Sequence, residues 1–239
     1  MKYQKGDFLY EGKAKKIYSV KGHPQWVWME FKDDLTAFNA KKRGAFEGKG
    51  RLNLLIANKV FEFLKQEGVK VHWVEALLDE TAAICQKVDI IPLEVVVRNW
   101  LAGSTAKRLG FKEGTVLEEP LVELYYKKDE LDDPFINEDQ ALLLGAATRE
   151  EIGELKKQAL KVNQLLLSFF QKACLQLVDF KLEFGRSSAS LMLADEITPD
   201  SCRLWDIKTK ERLDKDRFRR DWGRVKESYA EIWSRLESI

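Results

Sequence analysis

The sequence predicts an α+β protein, and it favours two lobes, residues 1–88 and 89–239, on either side of a cleft, with one large domain as the alternative. The chain has 239 residues, which exceeds the usual size of a single domain, about 100 to 150 residues. Short segments that alternate apolar and polar residues fill the first part of the chain, as strands do. From Thr148 onward, apolar residues recur at helical spacing instead.

The first part is predicted to be an antiparallel, sheet-rich lobe that one helix interrupts. That helix is expected from Leu52 to Glu67, because Gly68 directly follows it and glycine is a favourable helix stop. The predicted strands are Phe8 to Glu11, Lys16 to Val20, Trp26 to Phe31, Val71 to Glu75, Ala82 to Gln86 and Leu93 to Arg98.

The second part is predicted to be built around a long amphipathic helix. Thr148 and Glu151 match a capping box, and the apolar spacing continues to Cys174. A coiled coil is the alternative, although the pattern lasts only about three heptads. A final helix is expected from about Asp216 to Leu236, with Phe218, Trp222, Val225, Tyr229 and Trp233 on one buried stripe.

The segment from Asp129 to Gly145 is predicted to be a loop between the lobes. It opens with acidic residues and is interrupted by Pro134. Two interpretations are open: a solvated connection, or a loop that closes over a charged substrate.

A strand from Val178 to Phe184 carries the most informative charges. Its alternation places Asp179, Lys181 and Glu183 on one face and apolar residues on the other. A returning strand is expected to bring Asp195 level with Asp179 or Lys181. An exposed face with a satisfied ion pair is the alternative interpretation. The number of carboxylates favours a divalent metal ion.

Composition excludes several classes of protein. Lys and Arg number 40 against 39 Asp and Glu, so the chain lacks the broad basic field of a nucleic-acid-binding protein. The three cysteines show no CxxC spacing, no apolar run is long enough to cross a membrane, and no signal peptide is found, so a cytoplasmic protein is expected. With only two histidines, a catalytic triad or a histidine-ligated metal is not expected.

Two segments have the composition of phosphate sites. Gly12 with Lys13 and Lys15 forms a tight corner whose backbone amides could hold nucleotide phosphates, although a solvated hairpin is the alternative. A second segment delivers Arg98 and then Ser104, which is expected to cap a short helix ending at Gly110. An arginine beside a helix N-terminus suits a phosphate monoester, although a simple N-cap and a surface ion pair would also explain the pattern.

Taken together, these segments closely resemble the phosphoribosylaminoimidazole-succinocarboxamide synthase (SAICAR synthetase) family from end to end. The resemblance rests on GKAKKIY, the Asp33-Asp34 to Asn39 segment, IIPLEVVVRNWLAGS, the DDP loop, LVDFKLEFG, ADEITPDSCRLWD and KDRFR. It implies a kinase-like antiparallel sheet in the N-terminal lobe, an ATP-grasp-like C-terminal lobe and ATP in the cleft between them. It also implies a homodimer.

The resemblance further implies a reaction that joins the carboxylate of carboxyaminoimidazole ribonucleotide (CAIR) to the amine of L-aspartate with ATP and Mg²⁺. It assigns the nucleotide to Gly12, Lys13, Ala14, Lys15, Ile90, Lys127 and Glu183, and the magnesium ion to Glu183 and Asp195. It assigns the phosphate of CAIR to Arg98, Ser104 and Arg203, and the rest of CAIR to Asp179, Lys181 and Arg219, of which Asp179 and Lys181 are expected to be catalytic.

Two other functions are weighed against the ligase. A small-molecule kinase using Mg-ATP would need the same cleft, but it would release a stable phosphorylated product without aspartate. A nucleic-acid-binding module could be drawn from Lys13, Lys15, Lys16, Lys41, Lys42 and Arg43, but the neutral net charge and the lack of an aromatic RNA motif argue against it.

Overall fold

A computed structural model describes residues 2–188 and 190–239 of the chain. The strands are β1 Lys5–Glu11, β2 Lys15–Val20, β3 Trp26–Phe31, β4 Asp34–Ala37, β5 Lys42–Ala45, β6 Trp73–Leu77, β7 Ala82–Gln86, β8 Asp89–Leu101, β9 Thr115–Tyr126, β10 Phe135–Ile136, β11 Leu175–Arg186, β12 Leu191–Ala194 and β13 Cys202–Asp206. The helices are α1 Lys49–Gln66, α2 Gly103–Leu109, α3 Glu138–Leu143, α4 Arg149–Lys172, α5 Asp216–Arg219 and α6 Val225–Glu237. The α+β prediction is confirmed.

The first sheet is antiparallel and has the strand order β1-β2-β3-β7-β6. Because side chains alternate along a strand, Met29 and Phe31 join a core cluster with Leu54 and Phe61 of α1, whereas Trp28 lies in a smaller cluster. A separate hairpin of β4 and β5 follows the third strand. Its turn reaches the cleft described below.

The second sheet has the order β10-β9-β8-β11-β12, and β13 pairs with the first half of β11. The long helix α4 lies on this sheet and starts at the predicted capping box of Thr148 and Glu151. Its apolar residues, such as Leu155 and Leu166, share a core with Phe180 of β11. The helix therefore packs on a sheet and is not part of a coiled coil.

The two sheets are joined by a short parallel bridge. Leu193 of β12 accepts a hydrogen bond from the amide of His72 (2.8 Å) and donates one to the carbonyl of Lys70 (2.9 Å). The strand predicted to begin at Val71 therefore begins at Trp73, because the residues just before it pair with the other sheet. One apolar core runs through both sheets, and the lobe boundary at residue 88 stays a prediction.

Several sequence predictions are wrong in detail. The strand predicted from Leu93 to Arg98 is longer and belongs to the second sheet, and β9 was not predicted at all. The expected loop from Asp129 to Gly145 contains a 3₁₀ turn, β10 and α3. α1 starts at Lys49, three residues before the predicted start.

The predicted final helix is interrupted, which is the largest error in the fold. α5 ends at Arg219 and α6 starts at Val225, because Asp221, Gly223 and Arg224 adopt left-handed backbone conformations that no α-helix contains. Trp222 in this turn is 44% exposed instead of buried. In α6 the buried side chains are Ser228, Tyr229, Ile232 and Leu236.

The helices of the described part of the chain are all too short or too polar to cross a bilayer. Cys85, Cys174 and Cys202 are free thiols.

Candidate active site

A cleft of about 460 Å³ lies between the two sheets. Its walls come from the β1–β2 turn, the β4–β5 hairpin, β8, β11 and the segments that follow β12 and β13. Ten of the predicted site residues line it: Gly12, Lys13, Ala14, Lys15, Ile90, Lys127, Lys181, Glu183, Asp195 and Arg219. Arg98, Ser104, Asp179 and Arg203 are not among the lining residues.

The glycine–lysine corner forms the β1–β2 turn over one side of the cleft. The amide of Gly12 donates to the carbonyl of Lys15 (2.8 Å), which closes a tight turn. Lys13 forms an ion pair with Asp129 (2.8 Å) in the segment that had been predicted as a loop. Asn39, from the β4–β5 turn, also donates to the carbonyl of Asp129 (2.9 Å). This segment therefore lies at the mouth of the cleft, as the interpretation of a closing loop requires.

The centre of the cleft contains a lysine–carboxylate cluster, which we define as Glu183, Asp195, Lys15, Lys127 and Lys181. Lys181 donates to Glu183 (3.0 Å), Lys127 also pairs with Glu183, and Lys15 pairs with Asp195. Glu183 is only 4% exposed. The cations that keep the buried carboxylates from repelling one another here are thus lysines, an arrangement that the sequence analysis did not predict.

The charges of this cluster and its neighbours do not cancel. Glu94 and Glu196 bind the outer sides of the cluster, with Lys181 to Glu94 at 2.7 Å and Lys15 to Glu196 at 3.0 Å. Four carboxylates therefore surround three ammonium groups, which leaves one negative charge for a further cation. Among residues 2–188 and 190–239, no three His, Cys, Asp or Glu side chains lie close enough to form a complete metal site by themselves.

Asp195 of the cluster is held in its ionised form. Burial opposes ionisation, but the charges of Lys15, Lys181 and Lys127 hold the pKa of Asp195 well below its usual value. For Lys181, burial is likewise outweighed by Glu183 and Glu94, which raise its pKa well above normal. Carboxylates in this state are suited to a metal ion or to polyphosphate-bound magnesium.

The register of β11 and β12 shows how Asp195 reaches the cluster. Ala194 lies opposite Glu183, so Asp195 follows one residue beyond the strand pair, beside Glu183 and Lys181. Of the two predicted levels, Lys181 is therefore the closer one and Asp179 is too far along the strand. Asp195 has a positive φ of 60°, an uncommon conformation for a residue other than glycine.

His72 supports this unusual backbone and was missed by the sequence analysis. Its Nε2 lies 3.1 Å from the carbonyl oxygen of Asp195, and since a carbonyl only accepts, the imidazole must donate. Burial lowers the pKa of His72 to about 4, so the ring is neutral near pH 7. Without the fold, nothing indicated that a residue 123 positions away would contact Asp195.

A second set of charges, the arginine–carboxylate cluster, comprises Arg98, Glu123, Asp179, Arg203 and Asp216. Arg98 donates to Glu123 (2.7 Å) and Asp179 (2.6 Å), and Arg203 donates to Asp179 (2.8 Å) and Asp216 (2.9 Å). Arg98 is 4% exposed, so the alternative of a surface ion pair is wrong. The cluster adjoins the cleft because Asp216 also accepts from Arg219 (2.6 Å), which lines it.

The N-terminus of α2 lies beside the arginine–carboxylate cluster, since the guanidinium of Arg203 packs against Gly103. Ser104 does not cap the helix as predicted. Ala102 occupies the N-cap position, and the amide of Gly103 donates to Glu113 (3.1 Å), which removes one need for a serine cap. The side chain of Ser104 is exposed, and Gly110 ends the helix as predicted.

Sequence reasoning missed several members of these networks. Glu123 was missed with its whole strand, although its position between Val122 and Leu124 fits period-two alternation and could have been noticed. Lys49 is fully buried against Asp200, and no sequence pattern distinguishes it from a surface lysine at the start of a helix.

Comparisons with known proteins agree over nearly the whole chain. A family model described as SAICAR synthetase matches residues 8–236. The chain is 52% identical to phosphoribosylaminoimidazole-succinocarboxamide synthase of Wolinella succinogenes, over 98% of this chain and 99% of that protein. It is similar to the crystal structure of the enzyme of that name from Ehrlichia chaffeensis, with a TM-score of 0.93, 43% identity and coverage of 98% and 99%. A structure described as SAICAR synthetase (Type-2) in complex with ADP gives a TM-score of 0.92, with 48% identity and coverage of 96% and 97%.

Proposed function

Because this chain belongs to the SAICAR synthetase family, we propose that its cleft holds Mg-ATP beside the ribonucleotide and L-aspartate. The chain is an ATP-dependent ligase of purine biosynthesis that joins the carboxylate of CAIR to the amine of L-aspartate, giving SAICAR, ADP and phosphate. The observation that carries this assignment is the 52% identity over 98% of the chain.

The nucleotide is proposed to lie under the β1–β2 turn. Gly12, Lys13, Ala14 and Lys15 would cover its phosphates, Ile90 would meet the adenine and Lys127 would reach the phosphate chain. All of these residues line the same cleft, and the solved structure with 48% identity is described as an ADP complex, which supports the placement. Lys15 and Lys127 have raised pKa values despite burial, because Asp195 and Glu183 favour their charged forms.

Glu183 and Asp195 are proposed to hold the magnesium ion. Their carboxylate oxygens are the hard ligands that Mg²⁺ prefers, and with Glu94 and Glu196 they place four carboxylates beside three lysines. Two protein carboxylates completed by substrate oxygens and water are a common magnesium site. When bound, the ion would offset the charge of the triphosphate and of the CAIR carboxylate.

The reaction requires that a poor acylating agent be activated. Transfer of the γ-phosphoryl group of ATP to the CAIR carboxylate gives an acyl phosphate and ADP. The aspartate amine then attacks the acyl carbon, the C–O bond to phosphate breaks, and an amide and inorganic phosphate result. Lys181 faces the cleft and would offset charge on the carboxylate and the transferred group, while Asp179 would orient the ribonucleotide.

The ribonucleotide is proposed to extend from the cleft toward the N-terminus of α2. Arg98, Ser104 and Arg203 would bind its phosphate, since Arg203 packs against Gly103 at that helix. Asp179, Lys181 and Arg219 would face the remainder of the molecule. Arg98 donates a hydrogen bond to Asp179 (2.6 Å), so the proposed phosphate subsite and the subsite for the rest of the ribonucleotide are in direct contact.

A coupled assay of ADP release tests the function. The purified protein is given CAIR, ATP, magnesium and L-aspartate, and each component is left out in turn. ADP release is expected only with all four. Full-rate ADP release without aspartate would overturn the ligase and support the small-molecule kinase instead.

We also propose that the protein acts as a homodimer in the cytoplasm, as the resemblance to the family implies. Its three free cysteines are compatible with a reducing compartment. Light scattering coupled to size-exclusion chromatography tests the dimer, and a monomer at micromolar concentration would contradict it.

A further inference from the structure

Lys215 differs from the other buried lysines of the cleft. Its side chain is only 13% exposed and lines the cleft, yet the nearest carboxylate oxygen among the described residues belongs to Asp200 at 3.6 Å. Lys15, Lys127 and Lys181 each hydrogen-bond a carboxylate directly. Lys215 is therefore a mostly buried cation with no carboxylate oxygen closer than 3.6 Å in the described part of the chain.

The charge of Asp200 is already offset by other groups. Lys49, which is fully buried, approaches Asp200 to 2.5 Å. Tyr229 donates to Asp200 (2.6 Å), and Asn53 donates to it as well (2.9 Å). Because Lys49 is fully buried, losing this carboxylate would leave its charge unpaired away from water. Lys215 therefore shares Asp200 with closer partners and forms no short contact with it.

A cation at this depth without a short ion pair is unfavourable. Removing an ammonium group from water costs several kcal/mol unless a charge partner is supplied. Burial accordingly lowers the pKa of Lys215, helped by the nearby positive charges of Arg219 and Lys49 and opposed by Asp200 and Glu196. Such a residue can be kept in a cleft when a ligand supplies a closer negative charge.

The position of Lys215 identifies the ligand group. The amide of Arg219 donates to the carbonyl of Lys215 (3.0 Å), which sets the two residues one helical turn apart at α5. Arg219 is proposed to face the ribonucleotide, and Lys215 lines the same cleft as Arg219 and Lys181, so Lys215 lies beside the proposed ribonucleotide site. The nucleotide phosphates and the ribonucleotide phosphate have their own proposed partners, which leaves the carboxylates of L-aspartate without any.

We infer that Lys215 binds a carboxylate of L-aspartate and so holds the amine donor beside the activated ribonucleotide. The inference rests on the proposed function, because it presupposes that aspartate is the amine donor. Lys215 would then mark a subsite for a small dicarboxylate in the cleft, at the start of α5.

Steady-state kinetics of Lys215→Met tests the subsite. The KM for L-aspartate is expected to rise about tenfold or more, as for the loss of a charge-assisted hydrogen bond, while the KM values for ATP and CAIR change by less than about twofold. Inhibition by succinate, a dicarboxylate without an amine, should weaken by a similar factor. Lys87→Met is the matched control, because Lys87 lines the same cleft but is exposed, and its KM for aspartate should not change.

Three outcomes would overturn the inference. The first is an unchanged KM for aspartate in Lys215→Met. The second is an equal rise in the KM for CAIR, which would assign Lys215 to the ribonucleotide carboxylate. If Lys215→Met does not fold, the third is a Lys215→Gln variant with unaltered aspartate kinetics, because glutamine lacks the charge that is proposed to bind the carboxylate. Failure of the proposed function is distinguishable, since it would appear in the wild-type protein as ADP release independent of aspartate.

Discussion

The lysine–carboxylate cluster and the arginine–carboxylate cluster are built on one face of one strand, yet they differ in what their charges can do. Glu183 and Asp179 lie four residues apart on β11. Glu183 is paired with lysines, and the side chain of Lys127 is 43% exposed. Asp179 is paired with Arg98 and Arg203, whose side chains are 5% and 15% exposed. Ammonium groups pair as flexible point charges, whereas guanidinium groups fix planar geometry.

Because of this difference, we expect the lysine–carboxylate cluster to rearrange when ligands bind and the arginine–carboxylate cluster to stay rigid. Lys127 can release Glu183 when a metal ion and phosphates enter, because its half-exposed side chain pairs with that carboxylate alone. Lys15 and Lys181 each contact two carboxylates, so either can give up one and keep the other. The arginines link Glu123, Asp179 and Asp216 into a continuous buried chain that has no equivalent freedom. We therefore expect substitutions in the arginine–carboxylate cluster to reduce stability, and those in the lysine–carboxylate cluster to reduce activity.

Asp179→Asn should give the largest loss of stability. It leaves Arg98 and Arg203 buried with one carboxylate fewer between them, and removing one partner of a buried ion pair costs about 3 to 5 kcal/mol. The measurement is the free energy of unfolding by chemical denaturation. Asp139→Asn is the control, because Asp139 pairs with Arg149 on the surface at 3.8 Å, and exposed pairs contribute at most about 1 kcal/mol. Equal losses for both variants would contradict the comparison.

Glu183→Gln should lower turnover by about 100-fold or more, equivalent to about 2.7 kcal/mol. Its cost in the free energy of unfolding should be smaller than that of Asp179→Asn, because Lys181 keeps Glu94 as a partner and the half-exposed Lys127 can reach water. Glutamine fills the same space, but it lacks the charge that a magnesium ion needs. The magnesium concentration for half-maximal activity is expected to rise, and Glu118→Gln, an exposed residue of β9, is the control. An unchanged magnesium dependence would remove Glu183 from the metal site.

The two clusters also show how far the sequence could predict this site. Asp179, Lys181 and Glu183 were correctly predicted to share one face of a strand. Side chains alternate with a period of two residues, so the face of each one is fixed once the strand is recognised. The partners of these acids did not follow from it. Lys15 lies 180 positions from Asp195, and a contact of that kind depends on how the two sheets pack.

Backbone conformation explains the main error in the fold that the sequence predicts, which is the unbroken final helix. The apolar spacing from Phe218 to Trp233 fits one helix, and neither proline nor a cluster of glycines interrupts it. The break depends on Asp221 and Arg224, which adopt left-handed conformations that are uncommon for their residue types. Tertiary contacts override helix periodicity here. One such contact is the ion pair between Lys42 of β5 and Asp221 in the turn (2.7 Å).

Asp214, beside the arginine–carboxylate cluster, should make stability depend on pH. Burial and the neighbouring Asp216 raise the pKa of Asp214 from 3.8 to about 7. The native state therefore keeps this proton more tightly than the unfolded chain does. The stabilisation that results is complete below pH 3.8 and is lost as the pH rises through about 7.

Asp214→Asn tests this dependence by removing the titration. The wild-type protein is expected to lose about 2 kcal/mol more than the variant between pH 5 and pH 8, as measured by denaturant unfolding at both values. Asparagine accepts from the amide of Leu204 or of Asp216 but not from both, so the variant is less stable at either pH. Only the difference between the two pH values is diagnostic. Asp89→Asn, whose side chain is 82% exposed, is the control, and an equal difference in wild type and Asp214→Asn would exclude Asp214 as the cause.

Ser104→Ala should have the smallest effect, and it tests whether the arginine–carboxylate cluster binds a ligand as well as stabilising the fold. Ser104 is exposed at the start of α2 and does not cap that helix, so its loss should leave the free energy of unfolding unchanged. One lost hydrogen bond to a phosphate should raise the KM for CAIR about fivefold, close to 1 kcal/mol, without changing the KM for ATP. Ser168→Ala, an exposed serine on α4, should change neither constant. If the KM for CAIR stays at the wild-type value, the rigid cluster would hold the sheet together without forming the phosphate site, and the ribonucleotide would have to bind closer to the lysines.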